Sequence, residues 1–391
     1  MKVSGPLAGL RVLEVAQFAA GPFPALLLAD FGADVVKVEP PGGDGFRHWP
    51  PQVDSGDGEP YGINFAVLNR NKRSIVLDLK QPADRDRFLT LCAKADVLVE
   101  NSRPGAMDRL GLGFEDVQRV QPRIVYCSVS GYGHTGPYSR RGAFDVAVQA
   151  VSGCMSVTGE EEGPPAKCGV PVADFLAGVY AAFGVMVALR DARASGRARH
   201  VDCSMLACLM QAASLQFGEL WGTGVPPKRL GSRHPRNAPY RAFEASDKPF
   251  VIAAGNDALW RKVCEVVERP ALADDARFAS VELRAREEPA LTALLQPIFR
   301  SRTAAHWLAR FEASGVPCAP VYDFAEVCED PHVKATGILC PIELPGGRST
   351  LSIGNPLAMT GYAFEVSRQP PRLGEHDAEV FEDWLGERDA R

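Results

Sequence analysis

The stretch LRVLEVAQFAAGPFPALLLADFGADVVKV, residues 10–38, decides the fold. Leu10 to Val15 is a short apolar run, Gly21-Pro22 opens a second apolar segment through Ala29, and Gly32 precedes a third run, Ala33 to Val38. Pro22 suits a first helical turn, where its missing N–H has no partner to lose, and Gly32 suits the left-handed position that ends a helix. Strand, helix and strand in that order make a βαβ unit. The alternation continues outward: Ile75 to Leu79 reads as strand, Asp84 to Ala95 as helix, Asp96 to Glu100 as strand, Phe114 to Val120 as helix and Ile124 to Ser130 as strand. Such alternation specifies a parallel sheet covered by helices, hence an α/β protein. Further on, Ala143 to Val151 reads as helix, Asp174 opens a long apolar helix, and Arg199 to Met205 reads as strand running into helix.

Between Trp221 and Arg241 the chain turns rich in Gly, Pro and Arg, which marks a boundary. Beyond it a hairpin (Tyr240 to Ser246, Pro249 to Ala254) and helices near Asp257 to Val267, Pro289 to Phe299 and Ala304 to Ala313 form a smaller α+β domain. The expected division is 1–222 for the large domain, 223–330 for the small one and 331–391 for a tail returning to the large domain, ending in an amphipathic helix, Ala378 to Leu385. With 391 residues, 46% hydrophobic and 23% charged, the composition is that of a globular protein rather than a disordered or fibrous one. A net charge of −5 with dispersed Lys and Arg lacks the basic patch of a nucleic-acid binder. The uncharged run Phe175 to Leu189 is shorter than the roughly 20 residues a bilayer needs, so it is expected to be a core helix and not a membrane anchor. The start of the chain shows no export signal, so a cytoplasmic location is expected. Ten cysteines without a C-x-x-C pair predict buried thiols, with neither a zinc site nor a disulfide framework.

Gly131 to Gly136 (GYGHTG) matches a dinucleotide-binding pattern, but Pro137 and Arg140-Arg141-Gly142 delay any helix, so the glycines do not open one as that mechanism requires. His134, His234 and His332 are candidate bases whose plainer reading is structural. Gly42 to Gly45 is a phosphate-approaching loop or a flexible crossover. Asp174, in PVADFLAG, stands before an apolar helix, where an acid serves as a cap. The same position suits a nucleophile, because the helix dipole keeps a carboxylate ionised and burial excludes water. The residues alone leave both readings open.

Pro6 to Glu14 (PLAGLRVLE), Ala20-Gly-Pro22, Ala29 to Glu39 (ADFGADVVKVE) and Gly43-Asp44 resemble the opening of class III CoA-transferases. Asn71 to Ile75 with Leu77 to Lys80, Val99 to Ala106, Ser130 to Gly133, Thr135 to Tyr138, Pro171 to Gly178, Arg277-Phe278, Gly315 to Pro317 and Leu373 to His376 continue the resemblance in order along the chain. It implies a large Rossmann-like domain plus a smaller one, in a ring-like subunit interlocked with a second copy as a homodimer. It implies no permanently bound cofactor and no metal, CoA esters being substrates: an acyl-CoA donor and a carboxylate acceptor. By position it makes Asp174 the nucleophile. CoA contacts fall on Ala19, Ala20, Leu77, Asp78, Leu79, Lys80, Asn101, Ser102, Arg103, Arg109, Gly142, Ala143 and Phe144. Where formyl-CoA transferase has a basic residue after the strand ending in Glu39, this chain has Pro40, and Arg47 is the expected substitute.

Racemases of this family pair the aspartate with a histidine, and Phe144 stands at that position. Racemisation needs a base on each face of the carbon, so the resemblance favours the transferase, with an acyl-CoA racemase or epimerase and a non-catalytic CoA-ester binder as alternatives. Leu230 to Phe243 (LGSRHPRNAPYRAF) is similar to succinate–hydroxymethylglutarate CoA-transferases, which makes Arg233, Arg236 and Arg241 candidates for a distal carboxylate of a dicarboxylic acid. The loop Ala254 to Asn256 is expected to cover the pocket. The glycine-rich lid of formyl-CoA transferase has no counterpart, which argues against oxalate as substrate.

Overall fold

The computed structural model describes residues 5–386. They form two compact units: one takes in the chain up to Met155, Lys167–Val225 and the chain from His332 onward; the other is Ser156–Ala166 with Pro226–Pro331. The segment Ser156–Ala166, placed by the sequence in the large domain, belongs with the small one. Arg229 donates to Gly163 O at 3.1 Å, Gly231 N donates to Gly159 O at 3.0 Å, and Arg233 pairs with Glu161.

The larger unit is built on β1 (Arg11–Val15), β2 (Asp34–Glu39), β3 (Lys72–Val76), β4 (Val97–Glu100), β5 (Val125–Ser130) and β6 (Arg199–Ser204). All six are parallel, in the order β3-β2-β1-β4-β5-β6. This is the doubly wound order, whose chain leaves β1 in opposite directions in its two halves and so opens a crevice beyond the carboxyl ends of β1 and β4. On one face, Val12, Val35, Val97, Val99, Val125, Cys127 and Val129 pack with helices α1 (Pro22–Asp30) and, later in the chain, Val172–Ser195. On the other, Leu13, Val36, Val38, Leu98 and Tyr126 pack with α2 (Pro82–Cys92) and α3 (Phe114–Val120), and with Val380 and Trp384. The expected terminal helix divides there into a helical turn, Asp377–Val380, and a wider one, Phe381–Leu385.

β3 runs from Lys72 to Val76 instead of Ile75 to Leu79. Its two charged leading residues hid it, yet both are buried and paired: Lys72 Nζ meets Glu14 at 2.7 Å and Arg73 Nη2 meets Asp34 at 2.6 Å. After α4 (Asp145–Val151) comes α5 (Val172–Ser195), of 24 residues, longer than its uncharged stretch suggested and long and apolar enough by composition to cross a bilayer. Its buried face, however, is Ala173, Ala177, Gly178, Ala181, Val185 and Ala188, small residues that let it lie close on the sheet and α1. The opposite face exposes Val179, Tyr180, Phe183, Met186 and Val187. α6 (Met205–Ala212) follows β6 directly, capped by Ser204.

In the smaller unit, β7 (Tyr240–Glu244), β8 (Pro249–Ala253) and β9 (Cys318–Pro320) form an antiparallel sheet over a core of Phe243, Phe250, Trp260, Phe278, Phe299, Trp307 and Phe311. No cysteine is in a disulfide, and among the described residues no cluster of His, Cys, Asp or Glu is placed to hold a metal ion.

Candidate active site

The crevice holds a cavity of about 480 Å³, lined by Phe18, Ala19 and Ala20 after β1, Asn101 to Pro104 after β4, the end of β5, Arg141 to Phe144 before α4, Met205 and Asp174. Each stretch lies at a strand's carboxyl end or a helix start, as the fold's geometry requires.

Asp174 is the third residue of α5, so the cap reading does not hold. The N-cap position is Pro171, which has no side-chain acceptor. The acceptor comes instead from Asp145, whose Oδ1 takes the N–H of Ala173 at 2.8 Å. Asp145 Oδ2 accepts from Gln149 Nε2 at 2.6 Å, and Gln149 Oε1 from Cys168 N at 2.8 Å, so one chain of hydrogen bonds secures the approach to the helix. This leaves the Asp174 carboxylate without a hydrogen-bond donor among the described residues. Burial first, and the Asp145 charge second, push its pKa from an ordinary 3.8 up to about 7.

The opposite wall is the loop from Ala16 to Gly21. Phe18 sits at φ 65, a left-handed conformation that costs a non-glycine residue energy and needs external support. Its N–H donates to Asp44 Oδ1 at 3.1 Å, and Asp44 in turn meets Lys37 Nζ at 2.8 Å. Lys37 also meets Glu14 at 2.7 Å and donates to Ala16 O at 2.7 Å. Burial works against the Lys37 charge, but Glu14, Asp44 and Glu39 outweigh it and hold its pKa above the usual range. Burial lowers that of Lys72, on the same Glu14, to about 8. Across the crevice Gln17 N donates to Asn101 Oδ1 at 3.0 Å and Asn101 Nδ2 to Gln17 O at 2.8 Å, so the Asn101 amide is spent on fixing the loop. Only glycine fits at 21, since a Cβ there falls 2.6 Å from that of Ala16 and 2.8 Å from Asn101.

The structure thus brings Ala19, Ala20, Asn101, Ser102, Arg103, Gly142, Ala143, Phe144 and Asp174 to one cavity. It does not bring Arg47, whose guanidinium makes paired 2.7 Å bonds to Glu39, donates to Pro371 O and lies over the Phe65 ring. The residue expected to replace the missing base at Pro40 is thus engaged with Glu39 outside the cavity lining. Leu77 is a core residue, and Asp78, Leu79, Lys80 and Arg109 do not line the cavity. Arg233 and Arg241 are held by Glu288, at 3.4 and 2.8 Å, a structural engagement that removes them as ready anchors for a distal carboxylate. His134 and His200 meet edge to face in a second cavity of about 260 Å³ over the buried Glu100, not beside Asp174; His234 stacks on Tyr240. Gly131 serves close packing, for a Cβ there would fall 2.2 Å from that of Ala143. Sequence reasoning missed Phe18, Ser130, Arg141 and Met205 in the lining and Asp145 behind it. The signal for Arg141 and Asp145 was their position flanking Gly142 to Phe144.

Among the described lining residues Asp174 is the single carboxylate, and no imidazole accompanies it. Residues 7–377 match the model of CoA-transferase family III. The chain belongs to CoA-transferase family III. Over 382 residues it is 41% identical to an acetyl-CoA:oxalate CoA-transferase of Acetobacter aceti, covering 96% of this chain and 95% of that protein. It is 37% identical to a succinate–glutarate CoA-transferase of Agrobacterium fabrum, covering 96% and 95%. A crystal structure of a CaiB/BaiF family protein from Brucella suis superimposes with a TM-score of 0.88 at 36% identity, over 97% of this chain and 99% of that one. The family III chain is thus an enzyme that transfers CoA, with CoA thioesters as substrates. One of these relatives is named for oxalate, the acid against which the missing glycine-rich lid argued.

Proposed function

We propose that this family III enzyme is a cytoplasmic, homodimeric acyl-CoA:dicarboxylate CoA-transferase that works through covalent intermediates on Asp174. The observation that carries this reading is the lone, donor-free carboxylate of Asp174 in the wall of a crevice that suits a CoA thioester. In the first step the Asp174 carboxylate attacks the donor's thioester carbonyl, the C–S bond breaks, CoA leaves as thiolate, and an acyl–aspartyl anhydride remains. The thiolate then attacks the aspartyl carbonyl, releasing the donor acid as carboxylate and leaving an aspartyl–CoA thioester. The acceptor carboxylate repeats both steps in reverse, taking CoA and freeing Asp174. No proton is consumed, so the site needs a nucleophile and exclusion of water but no paired bases.

Relatives named for oxalate and glutarate support a dicarboxylic acceptor, and succinyl-CoA is the donor we favour. The apolar face of α5 (Val179, Tyr180, Phe183, Met186), with Leu215 and Trp221 beyond α6, supports a dimer, since a second copy that covers it removes exposed apolar surface from water. Acceptor specificity is tested by following label exchange between succinyl-CoA and a panel of labelled mono- and dicarboxylates. As only the ionised nucleophile reacts, kcat/KM is expected to rise about tenfold per pH unit below 7 and to level off above it, following the raised Asp174 pKa of about 7. A flat profile between pH 5.5 and 8, the expectation for an ordinary carboxylate, contradicts this assignment. Solvent deuterium entering the α-carbon without CoA exchange points to the racemase instead.

A further inference from the structure

With CoA as the cargo, an inference that rests on the reading above, the cavity must meet a ligand carrying a diphosphate and a phosphomonoester. The sequence assigned that charge to Lys80, Arg109, Arg103 and Arg47, but Arg47 is locked on Glu39 and neither Lys80 nor Arg109 lines the cavity. Among the described lining residues the cations are Arg103 and Arg141. They meet at Gly142: Arg141 directly precedes it, and Arg103 lies over it so closely that a Cβ there would come 3.0 Å from Arg103 Nη2.

Arg141 is built for one kind of partner. Its guanidinium carbon lies 3.6 Å from the centre of the Tyr138 ring, and Tyr138 packs edge to face on Tyr132 with ring centres 5.6 Å apart. The guanidinium lies over the ring, and no carboxylate among the described residues takes its N–H groups. A planar fork of donors matches phosphate oxygens in bidentate fashion, which a lysine cannot do. We propose that Arg141, held on the Tyr138 ring, grips a phosphate group of CoA and supplies the cationic contact that Pro40 cannot and Arg47 does not.

The test measures CoA binding by calorimetry and steady-state kinetics for wild type, Arg141→Ala and Arg141→Lys, with succinyl-CoA and with phosphate-free succinyl-pantetheine as donors. Losing a bidentate charged contact is expected to weaken CoA binding and raise the succinyl-CoA KM by about tenfold or more, with kcat within about threefold; Lys restores part of the loss. With succinyl-pantetheine the penalty is expected to fall to about twofold or less. Equal losses with both donors, unchanged CoA affinity, or a rise in acceptor KM confined to dicarboxylates would each overturn the assignment, the last because it makes Arg141 a carboxylate anchor. Should the wild type bind CoA but transfer it to no acid, the transferase reading fails, while the calorimetry still decides whether Arg141 holds phosphate.

Discussion

Asp174→Asn is expected to lower CoA transfer by about a thousandfold or more while making the protein more stable at pH 8. The amide keeps the shape of the side chain but cannot attack a thioester, which accounts for the first effect. The second follows from linkage. A carboxyl raised from 3.8 in the unfolded chain to about 7 when folded binds a proton in the folded state across that window. Stability is therefore greatest below the unfolded value and falls as pH rises toward 7, by which point ionisation costs on the order of 4 kcal/mol. Asparagine never ionises, so the variant escapes that cost, and its thermal midpoint at pH 8 should exceed that of wild type by several degrees. The gain should vanish near pH 4. A variant equally stable at both pH values, or less stable at pH 8, contradicts the strained-carboxylate account.

Lys37→Met should be the most damaging change outside the cavity. The ammonium group is fully buried between Glu14 and Asp44, and methionine fills its volume while leaving both carboxylates without it. Removing one partner from a buried ionic cluster costs roughly 3–5 kcal/mol, enough to lower the thermal midpoint of a protein this size by about 5 °C. Asp44 also holds the Phe18 N–H, so the acyl-CoA KM should rise as the loop loses its support. A midpoint within about 2 °C of wild type would show that the cluster is dispensable.

The βαβ core was legible because apolar runs, Pro22 and Gly32 carry local signals whose meaning does not depend on distant residues. β3 was misplaced for the opposite reason: Lys72 and Arg73 look like surface residues until Glu14 and Asp34, far away in the chain, arrive to pair them. The same non-locality hid the α5 cap, which comes from Asp145 through space and not from the residue before the helix. Asp174 itself stood out only through resemblance, since an acid at a helix start has an ordinary explanation. Arg47 shows the limit of carrying a role over by charge alone, because only coordinates reveal that Glu39 has already taken it.

The covalent role of Asp174 is tested most directly by trapping. The enzyme is incubated with succinyl-CoA, hydroxylamine or borohydride is added to intercept an activated carboxyl, and the modified residue is located by peptide mass spectrometry. Modification at Asp174 that requires the CoA ester and is absent from Asp174→Asn is the predicted result. Efficient CoA transfer with Asp174 unmodified, or modification at another carboxylate, would contradict it.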